Sequence, residues 1–202
     1  MATLPVTNEQ YRTIINALIS GFTTDNGIDY GYVKNGLSMP GVEANLPVAT
    51  ILQIEANTGL RIGDVLSLRR GDIVKVGNKY RFDITEQKTG KKRTFTVPAP
   101  VFMMIEDYCY KYKIKEGQPI FNIGVRNVQK ILKKVCDTLH YEKISTHSFR
   151  KYFATNAYRA SGNDIELVRR LLQHSSATTT TAYIGITDER TEGVLNALID
   201  LV

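Results

Sequence analysis

The sequence is poor in the residues on which several broad classes of protein depend. It holds two cysteines, Cys109 and Cys136, in helix-like segments without metal-ligand spacing, so no zinc site is expected and a reducing compartment suits them. It has only three histidines, and no Cys/His cluster. No glycine-rich phosphate loop is present, and no carboxylates are paired at metal-site spacing. Chemistry that needs ATP, a metal ion or another cofactor is therefore not expected. There is no signal-peptide pattern and no apolar run long enough to span a bilayer, which points to a cytoplasmic protein without a membrane partner. Internal repeats and low-complexity tracts are missing as well.

What is present is an ordinary globular composition with a basic bias. The 202 residues are 43% hydrophobic and 23% charged, and 26 basic against 20 acidic side chains give a net charge of +6. A chain of this length buries roughly 70% of the surface its unfolded form exposes, enough for a core that needs no staple. The basic residues are clustered, at Arg69-Arg70, Lys88 to Arg93, Lys111 to Lys115, Lys130 to Lys134 and Arg169-Arg170. Clusters of this kind suit a polyphosphate partner, because each phosphate contact releases counterions. Any one of them reads equally well as a solvated face.

The patterning predicts a mainly helical domain with one small sheet. Thr7 to Gln10 has capping-box spacing and opens an apolar-periodic helix through Tyr11, Ile14, Ile15 and Leu18. Residues 21–45, rich in Gly, Asn and Asp and containing Pro40, read as a long irregular excursion. Helices are expected from Val48 to Ala56 and Arg61 to Leu68, broken at Asn57-Thr58-Gly59. Ile73 to Val76, Lys79 to Thr85 and Arg93 to Val97 then form a three-stranded antiparallel meander. Helical patterns resume at Pro100 to Lys113, Arg126 to His140, Ser148 to Ala160, Asp164 to Leu172 and Asp188 to Leu201.

Four segments carry chemistry-bearing residues, and each alone has a plain structural explanation. Thr58-Gly59-Leu60-Arg61-Ile62-Gly63-Asp64 puts an arginine at a helix start, where an anion is favoured, though it also reads as a surface arginine. Gln87-Lys88-Thr89-Gly90-Lys91 puts a lysine on a hairpin tip, able to swing into a site or simply solvated. In Thr146-His147-Ser148-Phe149-Arg150 the histidine and arginine are three apart and share a helix face, as a phosphate-binding and proton-transfer pair would; a helix cap with a half-buried histidine is the alternative. Finally, Leu171-Leu172-Gln173-His174 ends a helix, and a Ser/Thr run that can move leads to Tyr183 nine residues later.

In this order, Arg, Lys, His-x-x-Arg, His and Tyr, the chain resembles the tyrosine recombinases, also called the phage integrase family. "TGLRIGDVLSLRRGDI" is similar to the family's first arginine box, "QKTGKKRTFTVP" to its hairpin lysine segment, "THSFRKYFAT" to its second box, and "LLQHSSATTTTAYI" to the stretch bearing the last histidine and the nucleophile. The similarity is colinear over about residues 48–199. It departs mildly, with Asp64 where glutamate is frequent, Phe149 where leucine is, and Gln173 where glycine commonly precedes the histidine.

The resemblance implies a tyrosine recombinase catalytic-domain fold, mainly α with a small three-stranded antiparallel sheet. It implies Arg61, Lys88, His147, Arg150, His174 and Tyr183 as catalytic residues, with Asp64 supporting them. Arg69, Arg70, Lys91, Lys92, Arg93 and Lys151 are expected to meet DNA. Tyr183 would attack a DNA phosphate to give a 3′-phosphotyrosyl link, allowing integration, excision or inversion of mobile DNA without metal or ATP. A DNA-relaxing enzyme, or a catalytically silent DNA-binding or regulatory module, would share much of this sequence. One catalytic domain over residues 1–202 is expected: a helix and loop over 1–47, a core over 48–187 and a C-terminal helix over 188–202. The family's usual N-terminal DNA-clamping domain is expected to be absent, making a monomer in isolation, a tetramer on double-stranded DNA, and help from an accessory DNA-binding protein the expected behaviour.

Overall fold

The structure, a computed structural model, describes residues 3–21, 32–34, 37–39, 42–85, 90 and 92–184. Helix α1 (Asn8–Ser20) begins with the anticipated reciprocal cap: the Thr7 hydroxyl accepts from the Gln10 N–H and the Gln10 side chain accepts from the Thr7 N–H. Its stripe of Ile14, Ile15 and Leu18 is buried. The excursion that follows is less irregular than its composition suggests. Strands β1 (Tyr32–Lys34) and β2 (Leu37–Met39) pair antiparallel, consistent with an Asn35-Gly36 hairpin signal in the sequence between them.

Helix α2 (Leu46–Thr58) is the central element. Asn45 caps it by accepting from the Val48 N–H, and Gly59 ends it in the left-handed conformation. It runs about one turn's half-length further at each end than the apolar pattern alone indicates, because the cap lies outside that pattern. Most side chains along it are buried, since α1 and the later helices α4 (Ala99–Lys111) and α6 (Thr146–Ala160) cover it from several sides. Helix α3 (Ile62–Ser67) follows after three residues.

Strands β3 (Ile73–Val76), β4 (Lys79–Thr85) and β5 (Lys92–Val97) form the expected meander in the order β3-β4-β5. Ile73 faces Phe82, and Phe82 faces Phe95, which aligns the apolar face against the core. Helices α4 (Ala99–Lys111), α5 (Val125–Thr138), α6 (Thr146–Ala160) and α7 (Ile165–Leu172) lie within two residues of their expected spans. Cys109 and Cys136 are buried free thiols on α4 and α5.

One element departs from expectation. The Ser/Thr run before Tyr183 is an ordered helix, α8 (Ala177–Ile184), where a movable linker was expected. Threonine has weak helix propensity, but here the side chains bond the helix itself: Thr180 to Ser176 O, Thr181 to Ala177 O, and Ser176 Oγ accepting from the Thr179 N–H. The expected helix over residues 188–202 lies outside the described residues.

Two apolar clusters organise the molecule. The large one gathers α1 to α5, the sheet and Phe149; the small one is Ala154, Val168, Leu172 and Ile184, with Phe153 and Tyr183 against it. Helix α6 runs through both. Its first turn, with His147 and Arg150, therefore lies at the seam between them, and there the candidate site is found.

Candidate active site

A cleft of about 960 Å³ opens at this seam. Glu55, Arg61, Lys92, His147, Gln173, His174 and Tyr183 are among its lining residues, drawn from α2, the start of α3, β5, α6, the α7–α8 joint and α8. Sequence segments as far apart as residue 55 and residue 183 thus share one surface.

Arg150 is the buried centre of the arrangement, with no exposed surface at all. Its Nη1 donates to Gly59 O at the end of α2, and its Nη2 donates to Leu172 O at the end of α7 at 2.8 Å, with His174 Nε2 at 3.5 Å. Burial lowers its proton affinity from the usual arginine value, an effect countered by the neighbouring Tyr183. A guanidinium so held is fixed before any ligand arrives, which is what electrostatic stabilisation of a reacting anion needs. The carbonyl it grips is available because Gly59 adopts φ +64; a Cβ there would lie 2.4 Å from a carbon of the Phe153 ring.

Tyr183 hydrogen-bonds through its hydroxyl to His147 Nε2 and also to the Arg150 side chain. Burial raises the phenol's pKa, and Arg150 and Arg61 pull it back. Its ring meets those of His147 and His174 edge-on, at 4.8 and 4.7 Å between centroids. Losing its proton therefore requires an acceptor at hand, and His147 is in contact.

His174 is buried, and its pKa falls to about 4, chiefly through burial and then through Arg150, Arg61 and His147. The ring is neutral and brings a hydrogen bond but no charge. Its Nδ1 lies 3.0 Å from Thr180 Oγ1. Since the Thr180 hydroxyl donates to Ser176 O, His174 Nδ1–H donates to Thr180 Oγ1, and Nε2 is left as the acceptor that Arg150 Nη2 meets. Gln173 sets the ring's approach. It ends α7 in the left-handed conformation, φ 54 and ψ 40, which accounts for glycine being common at that place in similar sequences.

Arg61 caps α3 and lines the cleft, and its Nη1 is 3.9 Å from Asp64 Oδ2. Because α3 has only six residues, its backbone dipole contributes little, and the guanidinium itself supplies the charge. Lys88 and Lys91 lie outside the described residues. Lys92 lines the cleft, while Arg93 pairs with Ile84 in the sheet. Arg69 and Arg70 are occupied elsewhere: Arg69 donates to Gly117 O, and Arg70 to Ile114 O and Glu106. Lys151 donates to Thr3 O, and its ammonium stands 5.7 Å from the centre of the Tyr183 ring.

Sequence reasoning missed Thr180, Lys92 as a cleft residue rather than a general DNA contact, and Glu55. Glu55 alone left a trace, as the single charged residue of its helix.

The family profile described as "Phage integrase family" matches residues 39–190. The chain is 34% identical over 142 residues to the probable integrase/recombinase YoeC of Bacillus subtilis, covering 67% of this chain and 75% of that protein. It is 30% identical over 152 residues to the tyrosine recombinase XerC of Bradyrhizobium diazoefficiens, covering 70% of this chain but 46% of the relative. In three dimensions it is similar to the XerH site-specific recombinase in its post-cleavage complex with palindromic difH substrate, with TM-score 0.68, 17% identity, and coverage of 96% of this chain and 52% of that one. It is also similar to the catalytic domain of bacteriophage HP1 integrase, with TM-score 0.57, 16% identity, and coverage of 96% and 94%. The chain thus spans about half the length of the Xer proteins it matches.

Proposed function

The chain belongs to the phage integrase family, and from that premise we propose that it is a site-specific recombinase that cuts and rejoins double-stranded DNA through Tyr183. The observation that carries this reading is the Tyr183 hydroxyl, bonded to His147 Nε2 and to Arg150 in a cleft shared with Arg61 and His174.

In the proposed reaction the phosphate enters between Arg61 and Arg150, whose fixed charges take up the negative charge that grows on its non-bridging oxygens. Tyr183 passes its proton to His147 as its oxygen bonds phosphorus. The bond from phosphorus to the 5′-oxygen breaks, and Lys88 protonates that oxygen. His174, with its ring proton moved to Nε2 as the phosphate enters, adds a neutral hydrogen bond to it, and Asp64 steadies Arg61. The 3′-phosphotyrosyl link conserves the bond's energy, and the 5′-hydroxyl of another strand reverses the step. Lys91, Lys92, Arg93 and Lys151 are assigned to contacts with the DNA backbone. Assembly is proposed to follow the same logic: a monomer in isolation and a tetramer on DNA, with an accessory DNA-binding protein strengthening target choice, in the cytoplasm.

The test is a nicked duplex that lets the cleaved strand diffuse away. Wild-type protein should form a detergent-resistant covalent adduct, and Tyr183→Phe should form none. An adduct that persists in Tyr183→Phe removes Tyr183 from the role.

A further inference from the structure

Glu55 stands in the wall of the cleft with 1% of its surface exposed. Around it on α2 are Ile51, Leu52, Ile54 and Ala56, all buried apolar residues, so a leucine would serve packing at lower cost. Its carboxyl accepts from the Ile62 N–H. Oε2 is buried with no hydrogen-bond partner among the described residues. Arg150 does not take that oxygen up: its bonds go to Gly59 O, Leu172 O, His174 and Tyr183, and its Nε is likewise buried without a partner among the described residues. Glu55 Oε2 thus lies unpartnered in the cleft wall, and Arg150, which touches the lining residues Tyr183 and His174, holds another such atom, where a buried polar group costs free energy unless something meets it.

The charged and titratable groups about Glu55 come from each neighbouring element: Arg150 and His147 from α6, Arg61 from the start of α3, Tyr183 from α8, His174 from the α7–α8 joint and Lys92 from β5. An ionised carboxylate here would be a buried charge with no hydrogen-bonded counter-ion among the described residues, and would oppose the phosphate that the arginines attract.

We propose that Glu55 is a further residue of the reaction, a neutral carboxylic acid whose Oε2–H donates a hydrogen bond to a non-bridging oxygen of the phosphate in the cleft. Burial holds the carboxyl well above the ordinary carboxylate pKa, although Arg150 and the Ile62 N–H pull the other way. Oε1 keeps the Ile62 N–H, Oε2 carries the proton, and Arg150 Nε–H is free to meet the same anion. This rests on the reading of the cleft as a phosphodiester site.

Two variants and two measurements decide it. Glu55→Gln keeps an acceptor for Ile62 and offers an N–H where Oε2 stood; Glu55→Leu fills the space with no polar atom. Inorganic phosphate is titrated into the full chain and followed through the His147 and His174 ring resonances. Glu55→Leu should bind it roughly tenfold to a hundredfold more weakly, the loss expected for one hydrogen bond to an anion, while Glu55→Gln stays within about threefold of wild type. On the nicked duplex, Glu55→Leu should form the adduct about 10²–10³ times more slowly, despite melting no lower than wild type. Wild type should lose rate relative to Glu55→Gln as pH rises, because ionisation removes the donor and adds a repelling charge.

A Glu55→Leu protein that binds phosphate as well as wild type or better overturns the proposal, and so does one that cleaves at the wild-type rate. Should Glu55→Leu not fold, a Glu55→Gln profile that falls with pH in step with wild type overturns it equally. If wild type forms no adduct, the recombinase reading fails, and the phosphate titration still decides Glu55.

Discussion

Arg150→Lys keeps the charge at the centre of the site and removes the fork. In the folded protein that fork does two jobs, gripping Gly59 O and Leu172 O while it bonds the Tyr183 hydroxyl. A lysine lacks the planar fork that serves both carbonyls at once, so at least one buried acceptor is expected to lose its partner. That costs about 1–3 kcal/mol. For a protein of this size each kcal/mol lowers the melting temperature by about 2–4 °C, so a fall of about 2–12 °C is expected. Cleavage should suffer more: losing one preorganised donor to the transition state typically costs about 10²–10³ in rate. DNA affinity should fall by less than about tenfold, since one contact among many phosphates is lost. The assays are thermal melting, a gel-shift titration and single-turnover adduct formation on the same nicked duplex. An unchanged melting temperature would refute the reading of Arg150 as a structural tie. Equal losses in binding and cleavage would make it an ordinary phosphate anchor.

Other consequences follow from neighbouring geometry. Gly59→Ala should destabilise the fold by about 1–3 kcal/mol in a urea melt, because the residue holds φ +64 and its Cβ would press on Phe153; cleavage should drop with it, since the displaced carbonyl is the one Arg150 grips. His174 is neutral in the fold down to pH about 4, whereas in the unfolded chain it takes up a proton near pH 6.5, so its contribution to stability is full above about 6.5 and is lost as pH falls toward 4. Chemical melts at pH 7 and pH 5 should show that loss in wild type and a smaller one in His174→Gln. Thr180→Val removes the hydroxyl that meets His174 Nδ1 at 3.0 Å; adduct formation should slow by about tenfold to a hundredfold with little change in DNA affinity, and an unchanged rate would show that Thr180 does not set the ring's proton.

Much of the fold was legible because local signals carried it. The Thr7–Gln10 cap and the Gly59 stop each satisfy specific backbone groups, so residue type and spacing announce them. The strand limits at Ile73–Val76 and Lys79–Thr85 follow from the alternation of residues and the Gly77-Asn78 turn between them. Helix α8 was hidden because threonine ordinarily disfavours a helix, and its stabilising side-chain bonds become visible only once the helix exists. The β1–β2 pair was masked by the glycine-rich composition around it. Among site residues, His147 and Arg150 were readable from one helix face. Glu55 was not, because its meaning depends on Ile62, Arg150 and Tyr183, which α3, α6 and α8 bring to it.

The reach of Arg150 along the chain has a consequence for the life of the protein before it is complete. Its two carbonyl partners lie 91 residues before it and 22 after it. Contacts that span so much sequence close late, since the loops between them must first give up their freedom. A nascent or proteolysed chain can display Arg61, His147 and Tyr183 and still lack the guanidinium in its working orientation. The set of reacting groups is thus complete only once α2, α6 and α7 have docked, and a chain in which that docking fails holds Tyr183 without the fixed guanidinium beside it.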